Sequence, residues 1–217
     1  MTTLHHPAEE LLLGYAAGTL DAGAHLALAT HLFACRKCRD LVDSMEELGG
    51  EMLGSAPVTA MKTGAFGKIE ALLDEPEPAR PAASAPQCEA LIDVPGLPPY
   101  ARRLEAGKWR WIAPGLHLQP LNPPADSATR VFLLRARPGM RFLPHGHSGV
   151  ELTCVLNGSF CHDGERYGAG DFDCGDSDGD HAITIGDESE CLCLVALTGE
   201  LQFRGLAGRI VQPFIAI

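Results

Sequence analysis

Residues 74–86 read Asp-Glu-Pro-Glu-Pro-Ala-Arg-Pro-Ala-Ala-Ser-Ala-Pro, with four prolines and no side chain able to anchor a core. Proline fixes its own backbone and donates no hydrogen bond, so neither a helix nor an internal strand runs through such a stretch. It reads as a semi-extended linker. Before it, apolar residues recur at helical spacing; after it, short apolar runs alternate with Gly, Pro, Asn and Asp. A chain of 217 residues is long enough for two modest cores. The expectation is a multi-domain α + β protein: a small four-helix domain over residues 1–74, a Pro/Ala-rich linker over 75–93 and a β-barrel domain over 94–217.

In the first half, Pro7 suits the opening position of a helix in which Leu11, Leu12, Tyr15 and Ala16 share a face. After a Gly18-Thr19 break, Asp21 is placed to cap a second helix over 21–34, with Leu28 and Leu32 in its apolar stripe. A third helix is predicted over 36–48, ended by Gly49-Gly50. Met61, Ala65, Ile69, Leu72 and Leu73 mark a short amphipathic fourth. Beyond the linker, strands are predicted at 109–112, 131–135, 152–156, 182–185 and 191–197, separated by turns such as Asn157-Gly158 and Asp163-Gly164. Many short strands at regular spacing make a barrel or jelly roll. The acid-rich segment 163–190 reads as a solvated face. Cys191 and Cys193 point to one side of their strand, either as small buried hydrophobes or as a thiol sensor.

Each half carries its own set of metal-ligand residues. In His31-x3-Cys35-x2-Cys38 the first two share a helical face, and Cys38 returns to it after a helix break. A tetrahedral Zn²⁺ needs a fourth ligand. His5 and His6 precede the first helix, whereas His25 lies ~240° out of phase with His31 on an ideal helix; His6 is preferred. The competing reading is a redox Cys35-x2-Cys38 pair with an incidental histidine, and the helical offset of His31 favours zinc. In the second half, His145-x-His147-x3-Glu151 puts two imidazoles on one side of a strand with a carboxylate on the next stretch. Such donors suit Zn²⁺, Fe²⁺, Mn²⁺ or Ni²⁺.

Composition narrows the functional classes. Hydrophobic residues make up 46% and charged residues 21% of the chain, which excludes a disordered polymer. A formal net charge of −11 opposes direct DNA binding and suits a basic protein partner. No apolar run reaches the ~18–20 residues of a membrane span, and residues 1–10 lack the pattern of an export signal, so the expected location is cytoplasmic with no membrane partner. In a reducing compartment the eight cysteines point to metal binding or redox sensing rather than disulfides.

His6 together with His31-x3-Cys35-x2-Cys38 resembles the zinc-binding anti-sigma family. The resemblance implies a helical domain in which zinc holds three helices together and a fourth, here 61–73, grips a group IV (extracytoplasmic function, ECF) sigma factor. Gly139-x5-His145-x-His147-x3-Glu151-x6-Gly158 resembles the first cupin motif and Gly170-x10-His181 the second, which implies His181 as the fourth ligand of a divalent ion. Asp176-Ser177-Asp178 stands where the second motif has Pro-x-Gly, and Ile185 where it has Asn. Zn²⁺ is the first candidate for this second ion too, with Fe²⁺, Mn²⁺ or Ni²⁺ as alternatives. The two motifs in this order, over nearly the whole chain, resemble the ChrR-type anti-sigma factors. They imply a regulator and not an enzyme: it inhibits a sigma factor and releases it when the cupin domain senses singlet oxygen or related oxidants. A cupin-mediated dimer is compatible with that picture. The alternative is a metal-dependent cupin dioxygenase or isomerase with a zinc-bound helical appendage; a third reading is a zinc-dependent redox sensor without a sigma partner.

Overall fold

The computed structural model describes residues 3–73, 75, 94–122, 127–142, 144–175 and 183–203, without the side chains of His147 and residues 201–203. The expected linker lies outside the described residues apart from Glu75, as does His181. Four helices come first: α1 (Glu9–Ala16), α2 (Ala22–Ala34), α3 (Arg36–Gly54) and α4 (Ala65–Leu73). Among the described residues a 3₁₀ turn (Ala101–Arg103) and twelve strands follow. The strands are β1 (Glu105–Ala106), β2 (Arg110–Ala113), β3 (Leu116–Asn122), β4 (Arg130–Ala136), β5 (His145–His147), β6 (Glu151–Asn157), β7 (Ser159–His162), β8 (Glu165–Gly168), β9 (Phe172–Gly175), β10 (Thr184–Ile185), β11 (Cys191–Leu197) and β12 (Leu201–Phe203).

Local chemistry accounts for most boundaries. Asp21 caps α2 as expected, its carboxylate accepting the Ala24 N–H at 2.8 Å and also taking the Thr129 hydroxyl. Pro7 lies just outside α1 rather than in its first position: Ala8 is the N-cap, and Glu9 and Glu10 place negative charge in the first turn. The predicted end of α3 at Gly49-Gly50 is corrected. Neither glycine adopts the left-handed conformation of a C-terminal cap, and the helix runs on to Gly54, where the Ser55 N–H closes onto the Glu51 carbonyl at 3.0 Å. The strand predicted at 191–197 is β11, and those at 131–135 and 152–156 each extend by one residue at both ends.

Helix α2 sets the architecture. Every residue from Leu26 to Leu32 is buried, including Thr30, whose hydroxyl donates to the Leu26 carbonyl at 2.8 Å, and His31. A helix buried all round requires cover on more than one side. Helices α1 and α3 cover one side, and strands β6 and β11 the other. These strands lie in a seven-stranded sheet of order β1-β3-β4-β11-β6-β9, with β2 paired to β3. Their period of two splits the side chains cleanly. Val131, Leu133, Leu152, Cys154, Leu156, Leu194 and Ala196 join Leu12, Leu26, Leu28 and Leu32 in one core. Phe132, Val155, Cys193, Val195 and Leu197 turn to the opposite face, where they meet Phe160 and Ile185 of a three-stranded sheet, β10-β7-β8. Each fully buried leucine contributes about 1.5–3 kcal/mol of hydrophobic stabilisation. The order is therefore helices, large sheet, small sheet, with an apolar cavity of about 210 Å³ between the sheets.

Two glycines test this packing in opposite directions. A Cβ on Gly23 would lie 2.7 Å from the Thr129 Cβ, so Gly23→Ala is expected to destabilise the protein by about 1–3 kcal/mol. A Cβ on Gly49 would meet nothing within 4 Å, so Gly49→Ala, in a helix interior, is expected to stabilise α3 by about 0.5–1 kcal/mol. Chemical denaturation of the two variants beside the wild type measures both signs.

Candidate metal centre

The corner between α2 and α3 brings the first predicted ligand set together. His31 sits in the last turn of α2. Cys35 is the extended residue (φ −102°, ψ 106°) that ends α2 and begins α3, and Cys38 follows in the first turn of α3. Arg39 braces the corner by donating to the Leu32 and Phe33 carbonyls. His6 arrives from the arm ahead of α1. The ligand atoms of His6, His31, Cys35 and Cys38 all lie within 4.8 Å of one another.

The spacing fits a tetrahedral ion. His31 Nε2 is 3.4 Å from Cys38 Sγ, and His6 Nδ1 is 3.5 Å from Cys35 Sγ and 3.4 Å from Cys38 Sγ. Zinc bonds of ~2.0 Å to nitrogen and ~2.3 Å to sulfur at tetrahedral angles require N···S edges of about 3.5 Å. The tautomer is right as well. His31 Nδ1 lies 2.8 Å from the Gly170 carbonyl, which can only accept, so Nδ1 carries the proton and Nε2 keeps its lone pair.

Protonation is arranged for the same task. Burial lowers the pKa of His31 to about 4, against the raising effect of the Gly170 hydrogen bond, so the imidazole is neutral at neutral pH. Burial, with help from the nearby Lys37, also holds His6 below its ordinary value. For Cys35, burial acts upward but is outweighed by hydrogen bonds from the Thr3 side chain, from Cys38 and from the Lys37 amide, and its thiol ends below the usual range. Burial and the neighbouring Cys35 push Cys38 up to about 12. The metal-free pair is thus one acidic thiol beside one that keeps its proton, and metal binding must expel that proton.

Two residues of the second predicted set are described with their side chains. His145, on β5, and Glu151, at the start of β6, line the apolar cavity between the sheets beside Thr153 and Phe160. The side chain of His147 and all of His181 lie outside the described residues. Cys191 and Cys193 line the same cavity with their sulfurs 3.6 Å apart. The hydrogen bond shared with Cys191, which favours the protonated form, and burial hold the Cys193 thiol well above its ordinary value, the behaviour of a buried strand cysteine.

One expectation is corrected. The acid-rich segment does not uniformly face water: Asp171 is only 4% exposed, and its carboxylate accepts the Leu4 N–H at 2.7 Å, the His5 N–H at 3.1 Å and the Gly168 N–H at 2.8 Å. Asp173 is held by His162 Nδ1 at 2.8 Å, and its carboxylate is what raises the His162 pKa, with burial opposing. The run Gly168-Ala169-Gly170-Asp171 carries the signal that could have found this turn, since glycines beside an Asp mark a tight loop whose carboxylate binds backbone amides.

The His31 environment dictates a pH response. Its folded-state pKa lies below the unfolded value, so its contribution to stability is present above about pH 6.5 and is lost as pH falls towards about 4. The loss is of the order of 3 kcal/mol for the metal-free protein. Denaturation of chelator-treated protein at a series of pH values is expected to show it, and His31→Gln to flatten it.

A family model described as the ChrR cupin-like domain matches residues 100–201. Over 225 aligned residues, covering 100% of both proteins, the chain is 35% identical to the anti-sigma-E factor ChrR of Cereibacter sphaeroides. The crystal structure of Rhodobacter sphaeroides SigE in complex with the anti-sigma ChrR superposes with a TM-score of 0.71 at 32% identity, over 90% of this chain and 99% of that one. No helix among the described residues is long and apolar enough to cross a membrane. The full-length likeness is to a regulator, which sets aside the dioxygenase or isomerase alternative. Four helices with a His/Cys cluster, a cupin-like β domain and a 35% identical relative aligned over the full length together make this chain a member of the ChrR family of anti-sigma factors.

Proposed function

We propose that the chain binds and inhibits a group IV (ECF) sigma factor and releases it under oxidative stress, singlet oxygen foremost, sensed through the cupin domain. The observation that carries the reading is an apolar surface left uncovered by the described residues. In α4 no residue is buried, and Phe66, Ile69, Leu72 and Leu73 are all exposed. Along α3 the apolar stripe packs against the core at Met45 and continues outward through Leu48 and Met52, with Leu53 beside them 78% exposed. Two amphipathic helices with bare apolar faces are the form in which helices enter a partner's groove. The ChrR relative is solved in complex with SigE, which supports a sigma factor as the partner.

In this reading Zn²⁺ at His6, His31, Cys35 and Cys38 fixes the arm before α1 to the α2–α3 corner, from which the gripping part of α3 projects. A second divalent ion would be held by His145, His147, Glu151 and His181, Zn²⁺ first and Fe²⁺, Mn²⁺ or Ni²⁺ as alternatives; the shared cavity of His145 and Glu151 supports it. The domain division at 1–74, 75–93 and 94–217 belongs to the same proposal. Reversing an equilibrium from 1:99 to 99:1 requires about 5.5 kcal/mol, which chemical modification supplies more readily than a weak reversible ligand.

Co-expression of the full chain with a co-encoded ECF sigma factor, size-exclusion chromatography and metal analysis test the proposal. The expected result is a one-to-one complex containing zinc. Leu53→Asp and Ile69→Asp, at exposed positions, are expected to keep the fold and weaken capture at least tenfold, on the order expected for an interface anchor. His145→Ala with Glu151→Ala is expected to keep capture and abolish release by singlet oxygen. A folded, zinc-loaded chain that captures no sigma factor overturns the reading.

A further inference from the structure

The turn between β8 and β9 belongs to the β domain, yet much of its bonding capacity is spent on the metal centre at the other end of the sequence. Asp171 offers one buried carboxylate. Its Oδ2 serves its own turn through Gly168, and its Oδ1 is given to the Leu4 and His5 amides of the arm that carries His6. The next residue extends the grip, the Phe172 N–H donating to the His5 carbonyl at 3.2 Å. The His5 ring stacks on Tyr167, with centroids 4.1 Å apart. The residue before Asp171 holds the other histidine: the Gly170 carbonyl accepts from His31 Nδ1. Gly170 has φ +93°, and a Cβ there would stand 2.8 Å from Thr3 Cγ2 and 3.2 Å from Ala34 Cβ, so the turn fits closely between the arm and the end of α2.

We propose that this turn is the outer shell of the N-terminal metal centre, with Asp171 as a positioning residue that tethers the His6 arm while Gly170 orients His31. The proposal rests on the reading that His6, His31, Cys35 and Cys38 hold Zn²⁺. Histidines that ligate metals donate their second ring N–H to a carbonyl or carboxylate, and removing such partners weakens metal binding about 10- to 100-fold. Here the partners come from the sheet. The turn also terminates a ladder: β9 pairs with β6, where Glu151 stands opposite Gly175 and Cys154 opposite Phe172, and Val155 exchanges backbone bonds with Gly170 and Asp171. One end of this two-stranded element thus lies at the cavity and the other at the His/Cys cluster.

The test is zinc affinity of the full chain by chelator competition. Asp171→Ala is expected to bind zinc about 10- to 100-fold more weakly, and Asp171→Asn, which keeps an acceptor oxygen, to recover most of the loss. The Co²⁺-loaded Asp171→Ala protein is expected to show altered ligand-field bands, and amide exchange at residues 4–6 to accelerate. Leu4→Pro removes one donor from the arm side at a residue 72% exposed, and the double variant is expected to be no weaker than the weaker single, because both remove one contact. A folded Asp171→Ala protein with zinc affinity within twofold of wild type and an unchanged Co²⁺ spectrum overturns the proposal. If Asp171→Ala does not fold, unchanged affinity of Leu4→Pro overturns it. A wild-type chain that takes up no zinc instead overturns the metal reading on which the proposal stands.

Discussion

The structure depends on covering helix α2. Seven successive residues, Leu26 to Leu32, are buried, so the helix has no solvent face along that stretch and cannot sit at the edge of a bundle. Helices α1 and α3 leave its far side open, and the large sheet closes it. The same contact solves the sheet's problem. Strand β11 is apolar at every position from Cys191 to Leu197, so both of its faces need cover: the small sheet takes one and α2 the other. The helical and β units are thereby joined through one core, and the His/Cys corner at the end of α2 is pressed against the β8–β9 turn.

The part of the site written in local spacing was legible. The offset of four between His31 and Cys35 puts both on one helical face, and two further residues bring Cys38 around the corner, so a cluster followed from helix geometry alone. His6 was reached by counting the ligands a tetrahedral ion needs. The strands read well because their apolar runs are bounded by Gly and Asn turns. What escaped was long-range. The unbroken apolar run of β11 carries the signal that a second layer lies over the sheet, but periodicity alone does not say which layer. Gly49-Gly50 resembled a helix end because glycine is a weak helix former, yet α3 has enough stabilising turns on either side to pass through it. Asp171 was hidden in an acidic run whose other members suggested a solvated surface, since two of the three amides it binds, those of Leu4 and His5, lie near the N-terminus.

The buried cysteines among the described residues are of two kinds, and their surroundings separate them. Cys35 receives hydrogen bonds that favour the thiolate, and it sits beside imidazoles kept neutral by burial. Cys154 and Cys193 are enclosed by hydrocarbon with raised pKa values, where a thiolate has nothing to stabilise it. Among the buried cysteines, the thiolate is therefore favoured at the helix corner, while the cavity between the sheets presents a mostly apolar wall interrupted by Arg141, His145, Glu151 and Thr153.

The bond from the Leu4 amide to Asp171 spans 167 positions of sequence. During synthesis the arm and the first three helices leave the ribosome well before the turn that clamps them exists. At about 5–20 residues per second the interval is about 10–30 s. Throughout it the nascent corner has its two histidines and two cysteines but neither the Gly170 carbonyl nor the Asp171 carboxylate, and one side of α2 is bare. The geometry of the cluster is thus completed by the second half of the chain: an N-terminal fragment made alone carries His6, His31, Cys35 and Cys38 and still lacks the groups that hold them in place.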